Sequence, residues 1–481
     1  MVNEDRVTSV APVLARSLVG GSWCGEGAQI DIRDPYRGAV VGRMCVSTPA
    51  ELSGALAAAK AASAVMAAMP GYERAAMLQR IADSVAANAE EIARIMALET
   101  GKAIADCRTE AARAPATLRL CAEEAVRIQG EHVPLDGSAV GAGKIAMVMR
   151  FPVGVVAAIT PFNAPVNLAA HKLGPALAAG NAIILKPSPK APLSTQKFIE
   201  AVLDAGIPEG AVNVLHGDDI APALVTDPNV DLVSFTGSIP VGKKIRSSIG
   251  LKPVVLELGG VGPTFVHHDA DLVAAAKASA RNAMQLAGQS CASVQNIYMH
   301  SGVREEFTEM LLHEVDSIRF GDPLDVATEV GTLIDEAAAV RVMGMVERAV
   351  DAGAQLLRGG SRTGAQVSAT ILSDVHPSMD VASQEVFGPT VTLQQYQEIE
   401  PIFRKISESP FGLQCGIYTN SLDLSLAAIR SLRTGGVIVN GTSRWRSDQM
   451  PYGGVKDSGA GREGPKFAMR DMTEERFFVF N

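Results

Sequence analysis

The chain has 481 residues, 47% of them hydrophobic and 20% charged, with a net charge of −9. That length is too great for one simple core and predicts two or three domains, while the acidic balance argues against a nucleic-acid partner, which needs a basic face. Six cysteines scattered without paired spacing predict free thiols in a reducing compartment, taken as the cytoplasm, with neither a disulfide frame nor a set of zinc ligands.

Residues 1–48 read as an irregular lead-in with short strands at 29–32 and 39–44, and Glu4, Asp5 and Arg6 speak against a secretory signal. Thr48-Pro49-Ala50-Glu51 is a helix start: a capping residue, proline in the first turn and glutamate three positions on. Helical segments are expected at 52–68, 72–100 and 102–129, the last kinked or broken at Pro115. A glycine-punctuated link at 137–143 leads into a strand at 144–150. From Gly154 short apolar strands (155–159, 182–186, 212–215, 232–235) alternate with helices (166–179, 193–205, 220–225), the pattern of a parallel sheet covered on both faces. A second α/β block is expected from about 253 to 431, closed by a strand at 435–440. Polar residues such as Asn163, His171 and Lys172 interrupt the apolar region 151–185, so no membrane span is predicted. The chain ends in Arg476-Phe477-Phe478-Val479-Phe480, read as a strand added to a partner subunit's sheet, the alternative being a tail docked on its own core.

The chemistry concentrates around Ala287-Gly288-Gln289-Ser290-Cys291, where one cysteine follows a helical run at 271–286, and Leu256-Glu257-Leu258-Gly259-Gly260, which holds a carboxylate on a glycine turn. A thiolate nucleophile and a base that activates water are the two parts thiol-based acyl chemistry needs. Cys24, Cys45, Cys107, Cys121 and Cys415 lack such a setting and read as structural. Phe235-Thr236-Gly237-Ser238 follows a strand and opens a helix, a context that suits a phosphate on free N–H groups. Lys186, at the end of an earlier strand, strengthens that reading.

Taken with Thr160-Pro161-Phe162-Asn163-Ala164-Pro165, the run from Lys172 to Asn181, Lys186-Pro187-Ser188 and Glu385-Val386-Phe387-Gly388-Pro389, these segments resemble the aldehyde dehydrogenase superfamily over nearly the whole chain. The end segment from Met450 to Lys456, with Gly461-Arg462-Glu463-Gly464, is most similar to lactaldehyde- and phosphonoacetaldehyde-dehydrogenase-like members. The resemblance implies an α/β fold: a Rossmann-type parallel-sheet NAD(P)-binding domain (1–133 and 153–256), an α/β catalytic domain (257–440), a small β oligomerisation arm (134–152 and 468–481) and a loop-rich segment closing the active site (441–467). It also implies a homodimer or homotetramer.

For the site, the resemblance implies Cys291 as nucleophile, Glu257 as the base for the deacylating water, and Asn163 with the Cys291 backbone N–H as the oxyanion donors; Lys186 joins this set. NAD+ or NADP+ would be held by Thr160, Pro161, Phe162, Lys186, Ser188, Pro189, Gly217, Phe235, Gly237, Ser238, Gly242, Leu258, Gly259, Glu385 and Phe387. Of these, Lys186 and Glu385 would take ribose hydroxyls, Phe387 the nicotinamide side and Ser238 the pyrophosphate. The aldehyde pocket would comprise Ala164, Leu168, His171, Ser290, Ala292, Trp445 and Arg446, in a loop where Arg444 or Arg446 can meet an anionic tail unless Arg446 is tied to Asp448. The implied reaction passes through a thiohemiacetal and a thioester to the free acid, without a metal. Many NAD-using members carry a glutamate where this chain has Pro189, with Lys190 beside it, and loss of that carboxylate leans towards NADP+ being accepted. The alternatives are a coenzyme-A-acylating dehydrogenase, against which Glu257 argues, and a non-redox cysteine acyltransferase or hydrolase.

Overall fold

A computed structural model describes residues 13–481; the reading of the first residues as lead-in without a signal lies outside the described residues. Four consecutive helices, Pro49–Ala68, Gly71–Ala87, Ala89–Thr100 and Ile104–Ala125, follow the short N-terminal strands. The first is held by the expected capping box: the Glu51 N–H donates to Thr48 Oγ1 at 3.2 Å and the Thr48 N–H to the Glu51 carboxylate at 2.6 Å. The span 72–100 is two helices, because Asn88 closes a turn by donating its side-chain amide to the Ser84 carbonyl at 2.9 Å. Of the expected kink or break at Pro115, the break does not occur: the fourth helix is continuous through it, Pro115 is buried, and packing outweighs the lost hydrogen bond there.

Five parallel strands form the centre of an eight-stranded sheet, in the order Val254–Glu257, Leu232–Thr236, Val155–Ile159, Ala182–Lys186 and Val212–Val214. The last four match the sequence expectation to within a residue. The first corrects the second block's expected start: Val254–Glu257 pairs in parallel with Leu232–Thr236, so the second sheet opens only at Pro263–Val266. Gly459–Ala460 adds to one edge, while Ser17–Val19 and Ser22–Cys24 add to the other, so part of the supposed lead-in is built into this sheet. Residues Gln29–Arg33 and Val40–Cys45 do pair, in a small separate sheet with Val13–Ala15.

The second sheet has seven strands, six of them parallel and only Gln355–Arg358 antiparallel, and carries its own apolar core. A third sheet is antiparallel and has three strands. There Thr473–Phe480 pairs with Ile145–Pro152 over eight residue pairs, and Ile145–Pro152 with Glu131–Val133. The C-terminal strand pairs on one edge within its own chain, with a neighbour of equal length, and its other edge, the one that joining a partner subunit's sheet would use, stays open among the described residues. Among the described residues no single helix is long and apolar enough to cross a membrane.

Candidate active site

The helix Leu272–Met284 starts on Asp271, whose carboxylate accepts the Ala274 N–H at 3.0 Å, and stops abruptly. Leu286 and Ala287 turn the backbone into the left-handed region (φ 58° and 52°), which side chains resist, and Gly288 continues it (φ 72°). A Cβ on Gly288 would collide with the Gly388 carbonyl, so this close passage of two backbones requires glycine. Gln289 is buried and stakes the turn down: its Oε1 accepts the Ile334 N–H at 2.9 Å and its Nε2 donates to the Leu286 carbonyl at 3.2 Å. Cys291 emerges from this turn into a cavity of about 390 Å³. Its Sγ lies 3.1 Å from Tyr452 Oη. Burial pushes the thiol up to about 11, and the Tyr452 hydrogen bond works against that rise. None of the other five cysteines lines the cavity, and four of them are fully buried.

Asn163 and Glu257 reach the same cavity. The Asn163 amide donates to the Gln289 carbonyl at 2.9 Å, which ties it to the turn that carries Cys291, and its Oδ1 is buried without a partner. Its backbone carbonyl accepts from Lys102 Nζ at 3.1 Å. Lys102 is itself buried in an ion pair with Glu110, whose second oxygen accepts the N–H groups of Val166 and Asn167 at the next helix's first turn. The amide of Cys291 takes part in no hydrogen bond among the described residues. Glu257 ends its strand with both carboxylate oxygens buried and unpartnered, and a Cβ on Gly453 would come within 2.5 Å of one of them. Burial first, then the nearby Glu463, holds its carboxyl well above the ordinary range. Glu463 goes the other way: burial works upward, but Lys172 and Arg446 hold it at about 2.

The carboxyl ends of the parallel strands deliver the candidate cofactor residues. Thr160 follows Val155–Ile159, Lys186 ends Ala182–Lys186, Gly217 follows Val212–Val214, and Phe235 to Ser238 lead into the helix Ile239–Ser248. Open parallel sheets bind dinucleotides at that end. Ser238 caps its helix in extended conformation with no side-chain bond, leaving first-turn N–H groups free. Gly237 lies over the Phe235 ring and Gly242 against Leu258, both closer than a Cβ allows. The buried Thr160 hydroxyl has no partner. Glu385 accepts the Gly260 N–H at 3.3 Å and sits so near Gly259 that a Cβ there would overlap it; burial pushes its carboxyl up to about 7. Phe387, at φ 50°, meets Phe162 edge to face at 5.9 Å. Lys186 is tied to the Asp218 carboxylate and does not line the cavity; Ser188 Oγ accepts the Lys190 N–H at 3.2 Å beside Pro189. These free donors and glycine-lined approaches fit a dinucleotide.

Ala164, Leu168, Ser290, Ala292 and Arg446 line the cavity as expected, but two residues do not. His171 is fully buried behind it, with Nε2 3.0 Å from Asp448 Oδ1, and burial lowers its basicity. Trp445 is 55% exposed on the outer side of its loop. The proposed tie between Arg446 and Asp448 is also absent: Asp448 is taken by Arg113 in a two-point contact (2.5 and 3.2 Å), and Arg446 donates to Glu463 at 2.9 Å while lying 4.0 Å over the Tyr452 ring. Arg444 makes no ion pair among the described residues. One Nη donates to Gln285 Oε1 at 2.6 Å, and its Nε is buried without a partner. Sequence reasoning assigned no role to Arg113 or Tyr452. Arg113 sits among ordinary helix charges, and Tyr452 was visible only as a letter in the Pro451–Gly454 turn.

The chain matches the family model "Aldehyde dehydrogenase family" over residues 23–478. It is 43% identical to the 3-sulfolactaldehyde dehydrogenase of Priestia aryabhattai over 478 residues, 99% of this chain and 100% of that one. Among solved structures it is similar to aldehyde dehydrogenase 21 from Physcomitrella patens in complex with the reaction product succinate (TM-score 0.95, 35% identity, 98% and 99% of the two chains covered). A further likeness is to the NADP-dependent glyceraldehyde-3-phosphate dehydrogenase from Bacillus halodurans C-125 complexed with NADP (TM-score 0.94, 34% identity, 97% and 99% covered). With a cysteine, an amide and a carboxyl converging beside a dinucleotide cleft, the chain belongs to the aldehyde dehydrogenase family, whose reaction is the NAD(P)+-dependent oxidation of an aldehyde to its acid.

Proposed function

We propose that this dehydrogenase oxidises a short aldehyde carrying an anionic group, a carboxylate or a sulfonate, at the end opposite the carbonyl. The observation that carries this is Arg444, a cavity-lining guanidinium with no carboxylate partner, whereas Arg113 and Arg446 are neutralised by Asp448 and Glu463. Gln285 aims it, accepting from Arg444 while donating to Asp106 at 2.5 Å. A planar fork of free N–H groups suits an oxyanion. The relative that acts on a sulfonated aldehyde and the structure holding a dicarboxylate product support the same reading.

Cys291 Sγ attacks the carbonyl carbon, and the Asn163 amide and the Cys291 N–H stabilise the oxygen that becomes negative, an effect worth about 3 kcal/mol per donor. NAD+ or NADP+, when bound, accepts the hydride. Glu257 then takes a proton from the water that cleaves the thioester. The sheet ending at Glu257 carries the dinucleotide, and the sheet opening at Pro263 carries the nucleophile's turn. With proline at 189 no carboxylate repels a 2′-phosphate, so NADP+ is used as well as NAD+, in a dimer or tetramer. All six cysteines are free, which suits the cytoplasm.

The test is a panel of succinic semialdehyde, sulfoacetaldehyde and a neutral aldehyde of equal length, with each cofactor, against the wild type and Arg444→Met. The anionic aldehydes are the better substrates, and Arg444→Met lowers their kcat/KM about 100-fold while the neutral aldehyde changes less than about threefold. Equal losses for charged and neutral aldehydes overturn the assignment.

A further inference from the structure

Tyr452 belongs to the loop that closes the cavity, and every part of its side chain is committed. Its backbone bridges to Glu463, whose N–H donates to the Tyr452 carbonyl at 2.7 Å. Its ring is buried against Ala292 and Leu413, with the Arg446 guanidinium 4.0 Å over the face. That cation is fixed in turn by Glu463 at 2.9 Å. Packed in this way, the ring aims its hydroxyl at Cys291 Sγ at 3.1 Å, the only hydrogen-bond partner of Tyr452 Oη among the described residues. The sulfur likewise has no second partner.

We propose that Tyr452 is a catalytic residue whose hydroxyl donates to the Cys291 thiolate, favouring the anion and holding the sulfur where it attacks. The inference rests on Cys291 being the nucleophile. Once the thiol loses its proton, the sulfur can only accept, and the phenol is its one hydrogen-bond partner among the described residues, with the Arg446 cation also favouring the anion while Glu385 and Glu257 oppose it. Burial keeps that phenol protonated far beyond neutrality. The guanidinium over its face draws electron density from the ring and strengthens the O–H donor. Two effects compete in magnitude. A hydrogen bond to an anion lowers the thiol's midpoint by about one pH unit, which multiplies the thiolate fraction about tenfold below the midpoint. The same bond makes each thiolate about threefold less nucleophilic. The net gain at neutral pH is therefore about threefold, with a penalty at high pH.

Opposite shifts in the two variants are the signature a purely structural tyrosine does not produce. The full-length protein is alkylated with iodoacetamide, the thiolate displacing iodide, between about pH 6 and pH 10, below the thiol's midpoint, and modification of Cys291 is followed by peptide mass. Tyr452→Phe reacts about threefold more slowly than wild type across this window. Replacing Tyr452 by a monofluorinated tyrosine, a stronger donor of nearly the same shape, makes the reaction faster; this arm stands even if the phenylalanine variant does not fold. Superimposable profiles, or rates that fail to move in opposite directions for the two variants, overturn the proposal. Loss of aldehyde oxidation in Cys291→Ala tests the nucleophile separately, so the two ideas fail independently.

Discussion

At the scale of single residues, burial at Glu257 suits the role of base proposed for it. Both oxygens of its carboxylate are buried without partners, and burial with the neighbouring Glu463 raises the carboxyl's proton affinity. A base that binds its proton more tightly abstracts one from water more readily, at the expense of being ionised in fewer molecules. Lys172, Arg446 and Arg462 pull back towards the anion. Glu257→Gln keeps the shape and removes the basicity. Stopped-flow absorbance then shows a burst of about one reduced cofactor per site, followed by turnover slowed about 100-fold or more; steady turnover at the wild-type rate refutes the water-activating role. Cys291, Glu257 and Asn163 could be named from the chain alone because each sits in a motif. Arg444 and Arg446 could be named only as a pair. Which of them is neutralised depends on Glu463 and Asp448, and pairing across loops leaves no trace in residue spacing.

Elements were readable where local chemistry decides them, as at Thr48-Pro49-Ala50-Glu51 and in the apolar strand Val155–Ile159. They were not where tertiary packing decides, as at Pro115 inside its helix or in the three-residue strands at the start of the described chain. Glu99 illustrates a helix cap that sequence reading did not see, although the helix itself was placed to within a residue: Glu99 belongs to another helix, yet accepts the Leu193 and Ser194 N–H groups (2.7 and 2.8 Å) and the Ser194 hydroxyl at the head of Pro192–Asp204. Burial outweighs these bonds and pushes its carboxyl up to about 7. The folded chain then holds a proton that the unfolded chain releases near 4.5, so this group's contribution is fully present below about pH 4.5 and is lost as pH rises towards 7. The loss is roughly 3 kcal/mol. Glu99→Gln cannot titrate. Denaturant melts of both proteins between about pH 5 and pH 8 show the wild type's advantage shrinking as pH rises, and a constant difference across that window removes Glu99 as the titrating cap.

The whole molecule leaves one surface that a single chain does not cover. In the third sheet, Ile145, Met147, Met149 and Phe151 share a face with Phe478 and Phe480, because the register sets Ile145 opposite Phe480 and Met147 opposite Phe478. Ile145 is 57% and Phe480 59% exposed, so the face is apolar and open to water at the Ile145–Phe480 end, while Glu474 and Arg476 share its other end beside Phe151, and the sheet's outer strand has an unpaired edge. A three-stranded sheet needs a buried hydrophobic face for its stability, and exposed apolar side chains beside a free backbone edge favour burial against another copy. The sequence reading anticipated an association role from the aromatic C-terminus. The resemblance put 134–152 and 468–481 in one β arm, but residue spacing does not give the register that joins them, since the eight matched positions lie more than 300 residues apart. The double variant Met147→Lys with Phe480→Glu sets a charge on this face without shortening the ladder. Light scattering coupled to gel filtration shows the wild type as a dimer or tetramer and the variant at the mass of one chain, with far-UV circular dichroism unchanged. A variant that assembles as the wild type does, or a wild type that runs as a single chain, removes this face as the association surface.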